Sequence, residues 1–167
     1  MEDKSLILTD DQVRKKIKRI AFEIYESNFK EKELVLAGVE GHGHGLAVFL
    51  GRELEAVTGI NITLVEIKLD KFKPTQSEIS LTCELSYLKN KAIILVDDVL
   101  NTGRTLAYSL KPFLNIRVKK IEIAVLVNRS HTQFPISAQY TGYELATSIK
   151  EHVEVVLEED QKAVYLL

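Results

Sequence analysis

Ile93-Ile94-Leu95-Val96-Asp97-Asp98-Val99-Leu100-Asn101-Thr102-Gly103-Arg104-Thr105 is the stretch that organises the rest of the chain. Its opening apolar run, with Ala92 before it, reads as a strand covered on both faces, expected from Ala92 to Val96. Asp97 and Asp98 then emerge at the strand's carboxyl end, a loop is expected to Thr102, and a helix from about Gly103 to Leu114. Carboxylates at such a point suit vicinal hydroxyls or a Mg2+ shell, because both call for hard oxygen acceptors. Thr102, Gly103, Arg104 and Thr105 suit a phosphate. Glycine lets the backbone come close, hydroxyls and N–H groups donate to phosphate oxygens, and a helix N-terminus adds partial positive charge. A phosphate loop of the Walker type needs a lysine after its glycines, and a dinucleotide fold needs G-x-G-x-x-G after its first strand; the sequence has neither.

Outward from this segment the pattern is one of alternating strands and helices. Thr9 or Asp10 can cap a first helix, in which Val13, Ile17, Ile20, Ala21 and Ile24 recur at helical spacing. Leu34 to Val39 reads as a buried strand, broken by Gly41-His42-Gly43-His44-Gly45, after which Leu46 to about Val57 is helical again. A strand is expected over 60–69, an irregular polar stretch over 70–90, and further strands over 120–127, 138–142, 153–157 and 163–166. The alternation predicts an α/β fold, a central and mostly parallel sheet flanked by helices, with ligands at the carboxyl ends of the strands. The loops after Val39 and after Val96 are therefore the candidate site.

Composition narrows the class. A chain of 167 residues, 46% hydrophobic and 28% charged, predicts one globular domain over 1–167. Cys83 is the sole cysteine, so no internal disulfide can form. The start, Met1-Glu2-Asp3-Lys4-Ser5, lacks the features of a signal peptide and no run reaches membrane-spanning length, so a cytoplasmic protein with no membrane partner is expected. A net charge of −2 argues against binding nucleic acid by bulk electrostatics, leaving the basic face Arg14, Lys15, Lys16, Lys18 and Arg19 as the one feature favouring RNA.

Val96 to Thr105 resembles the phosphoribosyl pyrophosphate (PRPP) motif of type I phosphoribosyltransferases. Ala124-Val125-Leu126-Val127-Asn128-Arg129-Ser130-His131, with Phe134-Pro135-Ile136, Tyr140-Thr141-Gly142 and Ala146-Thr147-Ser148, is similar to the group combining a pyrimidine-operon regulator with a uracil phosphoribosyltransferase. The resemblance runs from about Leu8 to Val164. It implies the type I phosphoribosyltransferase fold with a short, flexible hood over 70–90, and transfer of ribose 5-phosphate from PRPP to a pyrimidine with Mg2+ as cofactor. Uracil is the expected base and UMP the product. It further implies Asp97 and Asp98 as the catalytic pair against the ribose hydroxyls, meeting Mg2+ through water or those hydroxyls, and Asn101, Thr102, Gly103, Arg104 and Thr105 around the 5′-phosphate. Glu40, Gly41, His42 and Gly43 would form the pyrophosphate loop, and Val127, Asn128 and Arg129 would lie beside the base. A homodimer or higher homo-oligomer is implied as well.

The sequence departs from the family at three places. The loop after the first central strand carries Glu40, Gly41 and His42 where the family carries a lysine, a threonine and an arginine. A carboxylate facing a diphosphate is unfavourable unless Mg2+ lies between them, although backbone amides of Gly41, Gly43 and Gly45 can form an anion nest. The hood is shortened, with Lys68, Lys71 and Lys73 available to phosphate or simply solvated. Asn128 and Ser130 replace an acid and a glycine, and Asn101 stands where purine members have a catalytic acid. Besides the active enzyme, two readings stay open: a PRPP or nucleotide sensor without catalysis, and an RNA-binding regulator of pyrimidine genes.

Overall fold

The computed structural model describes residues 4–73 and 78–167. Its elements in chain order are β1 (Ser5–Leu8), α1 (Asp10–Asn28), β2 (Glu33–Val39), α2 (His42–Val57), β3 (Asn61–Lys68), β4 (Ser80–Leu81), β5 (Ala92–Leu100), α3 (Arg104–Ser109), β6 (Lys120–Asn128), β7 (Tyr140–Glu144), β8 (Val153–Leu157) and β9 (Lys162–Leu166). Single turns of 3-10 helix occupy Leu85–Leu88 and Lys111–Asn115.

The central sheet has the order β4-β3-β2-β5-β6-β7. Every pairing from β3 to β7 is parallel, and only the short β4 runs antiparallel, against Ile67 and Lys68. The chain leaves β2 in one direction and β5 in the other, so the gap between these neighbours is a topological switch point, where loops diverge and leave a crevice. The expected central parallel sheet flanked by helices is what forms.

Alternation along the strands divides the core in two. Leu34, Leu36, Ile94 and Val96 face α1 and α2, where Val13, Ile17, Ile20, Ile24, Leu46, Leu50 and Leu54 meet them. Val35, Ala37, Ile93 and Leu95 face the other way, onto Leu88, Leu106 and Phe113. Each such side chain contributes about 1.5–3 kcal/mol by leaving water, and the two faces together explain why β2 and β5 read as unbroken apolar runs.

Several boundaries differ from the expectation. Thr9 caps α1 through a reciprocal box with Gln12: the Gln12 N–H donates to Thr9 Oγ1 at 3.3 Å and the Thr9 N–H to Gln12 Oε1 at 2.9 Å. Helix α2 starts at His42 instead of Leu46, so the glycine-rich break is confined to Glu40 and Gly41, the latter at φ 90°. Strand β5 continues through the acid pair to Leu100, because its pairing with β6 persists to Leu100 opposite Asn128. The helix expected over 103–114 is cut after Ser109 and resumes as a 3-10 turn containing Pro112, which has no N–H to give a longer helix.

Strand β7 begins two residues later than expected, since the Gln139 side chain takes the Ile123 N–H at 2.7 Å and stands in for a backbone rung. A second sheet, β1-β9-β8, joins the start and end of the chain over the α1 and α2 side; β1 is an element the sequence reading lacks. Of the hood expected over 70–90, the segment 74–77 lies outside the described residues, and the remainder forms β4 and a 3-10 turn.

Candidate active site

The site lies at the switch point. Asp97 and Asp98 sit within β5, Asp97 3% exposed and Asp98 half-buried. Asp97 Oδ1 accepts the Asp98 N–H at 2.9 Å, and Asp98 Oδ1 accepts the Val99 N–H at 2.9 Å, so both carboxyls are oriented by the backbone that follows them. Burial, and then the charge of Asp98, push the Asp97 pKa up to about 8. The Lys71 ammonium, 3.4 Å from Asp97 Oδ1, works against that rise.

Beyond Leu100 the chain turns through Asn101, Thr102 and Gly103 into α3. Gly103 adopts the left-handed conformation, φ 85° and ψ 0°, and a side chain there would meet Ile136 at 3.1 Å and Thr132 at 3.3 Å. Thr102 Oγ1 accepts the Arg104 N–H at 3.2 Å, while its carbonyl accepts from Gln133 N at 2.8 Å and Phe134 N at 3.1 Å. A concave space of about 130 Å³ opens here, lined by Asp97 and by 99–106. It brings Asn101, Thr102, Gly103, Arg104 and Thr105 together with one carboxyl of the acid pair. The 132–136 segment supports this turn through contacts some thirty residues apart in the chain, which nothing local in the sequence marks.

Across the switch point, Gly41 precedes α2 without any side-chain cap. The Gly45 N–H is taken by Gly41 O at 3.1 Å as the first bond within the helix, and the N–H groups of His42, Gly43 and His44 precede it in the first turn. Gly43 is pressed against β5: a Cβ there would lie 2.8 Å from Val96 O and 2.9 Å from Asp97 Oδ1. Glu40 is exposed, and lines an open cavity of about 480 Å³ with Lys68, Leu69, Asp70, Lys71 and Phe72.

The residues expected at the base are differently disposed. Val127 is fully buried in the core. Arg129, 4% exposed, spends its guanidinium on Thr147 Oγ1 (3.0 Å), Ser148 O (3.1 Å) and Glu151 O (2.6 Å). Asn128 is bound to Glu144 through Nδ2 and accepts the Ser130 N–H at 3.0 Å. The Val127 side chain faces the core, and Arg129 ties the 147–151 loop to the end of β6.

No cluster of three or more potential metal-ligating side chains occurs among the described residues, His42 and His44 included. The acid pair offers oxygen donors of the kind Mg2+ prefers, but too few to hold it without oxygens from a bound phosphorylated ligand. No described helix is long and apolar enough to cross a membrane.

Known proteins resemble this chain in both sequence and fold. The chain is 32% identical to the Bifunctional protein PyrR of Macrococcus caseolyticus, over 98% of this chain and 99% of that one, and 35% identical to its namesake from Bacillus pumilus, over 99% of each. Among solved structures, the hypoxanthine phosphoribosyltransferase of Trypanosoma cruzi superposes with a TM-score of 0.76, covering 96% of this chain and 95% of that one at 18% identity. A hypoxanthine-guanine phosphoribosyltransferase from Bacillus anthracis gives 0.74, covering 87% and 86% at 20% identity. These two likenesses bear on the fold alone. The phosphoribosyl transferase domain profile matches residues 5–160, a span that takes in the acid pair, the turn into α3 and both sides of the switch point, and the chain belongs to that family.

Proposed function

We propose that the chain transfers ribose 5-phosphate from PRPP to N1 of a pyrimidine, uracil in the first instance, giving UMP and pyrophosphate. The observation that carries this reading is the cradle of Thr102 to Thr105 at the start of α3, which shares one concave space with the Asp97 carboxyl. Such a cradle holds a 5′-phosphate while the acid pair meets the ribose hydroxyls. In the reaction the C1–oxygen bond to pyrophosphate breaks, the N1–C1 bond forms, and the N1 proton is lost.

The protein's part is positioning. An oxocarbenium-like ribosyl centre needs alignment and charge complementarity more than a strong nucleophile. Asp97 and Asp98 orient the sugar, Asn101 to Thr105 fix the phosphate end, and the segment from Glu40 through Gly43, which leads into α2, faces the leaving group. The base lies beside Asn128 and the backbone of 127–131. Asp97 and Asp98, together with oxygens of PRPP, would hold Mg2+, which would supply positive charge to the diphosphate. The pyrimidine assignment leans on the relatives named PyrR and on Asn101, which is no acid. A cytoplasmic homo-oligomer is the setting proposed for this activity.

Incubation with PRPP, Mg2+ and uracil, orotate, hypoxanthine, guanine or adenine tests the proposal. Turnover with uracil alone supports it; turnover with a purine alone refutes the base assignment. Asp98→Asn should abolish PRPP affinity, and unchanged affinity would move the site elsewhere.

A second reading, a sensor that binds PRPP without consuming a base, is favoured by the exposed carboxylate of Glu40 where a leaving group needs cations. It predicts Mg2+-dependent PRPP binding with no pyrophosphate released. An RNA-binding role has less support: Arg14, Lys15 and Arg19 of the basic face pair with Asp10, Asp11 and Glu23. Salt-dependent binding to a leader RNA would revive it.

A further inference from the structure

We infer that the cavity between α1, α2 and the turn joining β8 to β9 is a second ligand site, built for a small carboxylate with a flat apolar body. It shares no lining residue with the cavity at the start of α3, so the inference stands apart from the PRPP reading.

The cavity holds about 200 Å³, below the roughly 300–1,000 Å³ of drug-sized sites, so its ligand is small. Its apolar part comes from Ile17 of α1 and Phe49 of α2, and its cations are Arg14, Arg52 and Lys162. Arg14 pairs with Asp10 and Arg52 with Glu159, whereas Lys162 pairs with no carboxylate among the described residues. Lys162 is also the buried one, 2% exposed. Its ammonium donates to Glu158 O at 2.7 Å and Glu159 O at 3.3 Å, and lies 4.0 Å from the centre of the Phe49 ring. Carbonyls and a ring face carry no full negative charge. Burial, and then the charge of Arg14, pull the Lys162 pKa below the ordinary lysine value. A buried ammonium so placed gains from an anion brought into the cavity that it lines.

Arg52 indicates which anion fits. Its Nη1 lies 2.7 Å from Glu159 Oε1 and 2.9 Å from Oε2, with the two side chains 56% and 65% exposed. An ion pair that open to water is weak and exchanges readily. Glu159 thus occupies a carboxylate position that a ligand can take over, its own body then covering Phe49 and Ile17. Glu53 lines the cavity as well, so the ligand's carboxylate belongs towards Arg52 and Lys162 and away from that side chain. A neutral ring lacks the contact with Arg52, and a bare small anion lacks the apolar floor. One ring bearing one carboxylate satisfies both.

Calorimetric titration of the full chain with benzoate, acetate and benzamide, alone and with ribose 5-phosphate present, tests the inference. Benzoate should bind about tenfold tighter than either of the others, the worth of one charge-assisted contact or of one covered ring face. Ribose 5-phosphate should leave that affinity unchanged. Arg52→Gln should weaken benzoate by about tenfold, whereas Glu159→Gln should tighten it by about two- to fivefold, because it removes an exposed and weakly held competitor. Both side chains are exposed, and an unchanged thermal melt shows that these variants fold. The opposite signs of the two substitutions separate a ligand site from a merely structural ion pair, whose loss from either side would act alike. Absence of benzoate binding at millimolar concentration, equal binding of benzamide, or a Glu159→Gln variant no tighter than the parent would overturn the inference. Displacement of benzoate by ribose 5-phosphate would overturn it too, by placing the carboxylate in the cavity at the start of α3. None of these outcomes bears on whether PRPP binds.

Discussion

Arg129 donates from Nε to Thr147 Oγ1 at 3.0 Å, tying the end of β6 to a loop eighteen residues later in the chain. The same guanidinium reaches Ser148 O and Glu151 O, and His131 Nε2 lies 2.7 Å from Thr147 O. A charged side chain 4% exposed is tolerable only because its donors are met by oriented oxygens. Arg129→Met keeps most of the volume but strands those acceptors, so it should destabilise the fold by about 2–4 kcal/mol. In thermal melts this corresponds to roughly 5–15 °C. A variant that melts like the parent would mean that the loop is held by other contacts.

Gly43 and Gly45 offer a matched pair in the first turn of α2. A Cβ on Gly43 would press on Val96 O at 2.8 Å and Asp97 Oδ1 at 2.9 Å, whereas one on Gly45 would meet nothing within 4 Å. Gly43→Ala should therefore push α2 away from β5, lowering stability by about 1–3 kcal/mol and weakening PRPP binding. Gly45→Ala should be neutral or stabilising by up to about 1 kcal/mol, because alanine is the better helix former. Chemical denaturation with parallel ligand titration separates them, and equal effects from the two substitutions would contradict the close approach of helix and strand.

The contrast between those glycines shows where sequence reading stops. Strands β2, β5 and β6 are legible because both faces are covered and the hydrophobic run is continuous, and the candidate site around Asn101 to Thr105 is legible because its residues are consecutive. Nothing local distinguishes Gly43 from Gly45: their difference arises from β5, more than fifty residues away. Strand β1 is similarly illegible, since Ser5 to Leu8 becomes a strand only by pairing with β9 at the far end of the chain. Arg129 is a base-side residue only by the family resemblance, and its partners at 147–151, which make it a structural tie as well, are not legible from its neighbours in sequence.

Gly103 is the pivot of the turn proposed to hold the 5′-phosphate. Its φ of 85° disfavours a side chain, and Ile136 and Thr132 close the space from above. Gly103→Ala should cost about 1–2 kcal/mol in stability from the left-handed backbone alone, and should shift the Arg104 and Thr105 N–H groups from their positions. Affinity for ribose 5-phosphate should then fall by about tenfold, as expected for one displaced charge-assisted hydrogen bond. Calorimetric titration with ribose 5-phosphate checks this directly. Full affinity in Gly103→Ala would show that the phosphate binds elsewhere.

Asp97 makes stability depend on pH in a direction opposite to that of a salt-bridged carboxylate. Its pKa is pushed up from an ordinary 3.8 to about 8, chiefly by burial. Between those values the unfolded chain has lost the proton and the native state still holds it, so stability falls as pH rises, and the loss is complete above about 8. Asp97→Asn cannot ionise, yet its amide oxygen can still accept from the Asp98 N–H and from Lys71. In metal-free buffer the variant should melt higher than the parent at pH 9, by a few degrees or more, with the gap narrowing steadily towards pH 5. Mg2+ with PRPP should stabilise the parent more than the variant at pH 9, because cation and ligand favour the ionised carboxylate. A gap constant from pH 5 to 9 would mean that the carboxyl titrates normally, with Lys71 and solvent offsetting its burial.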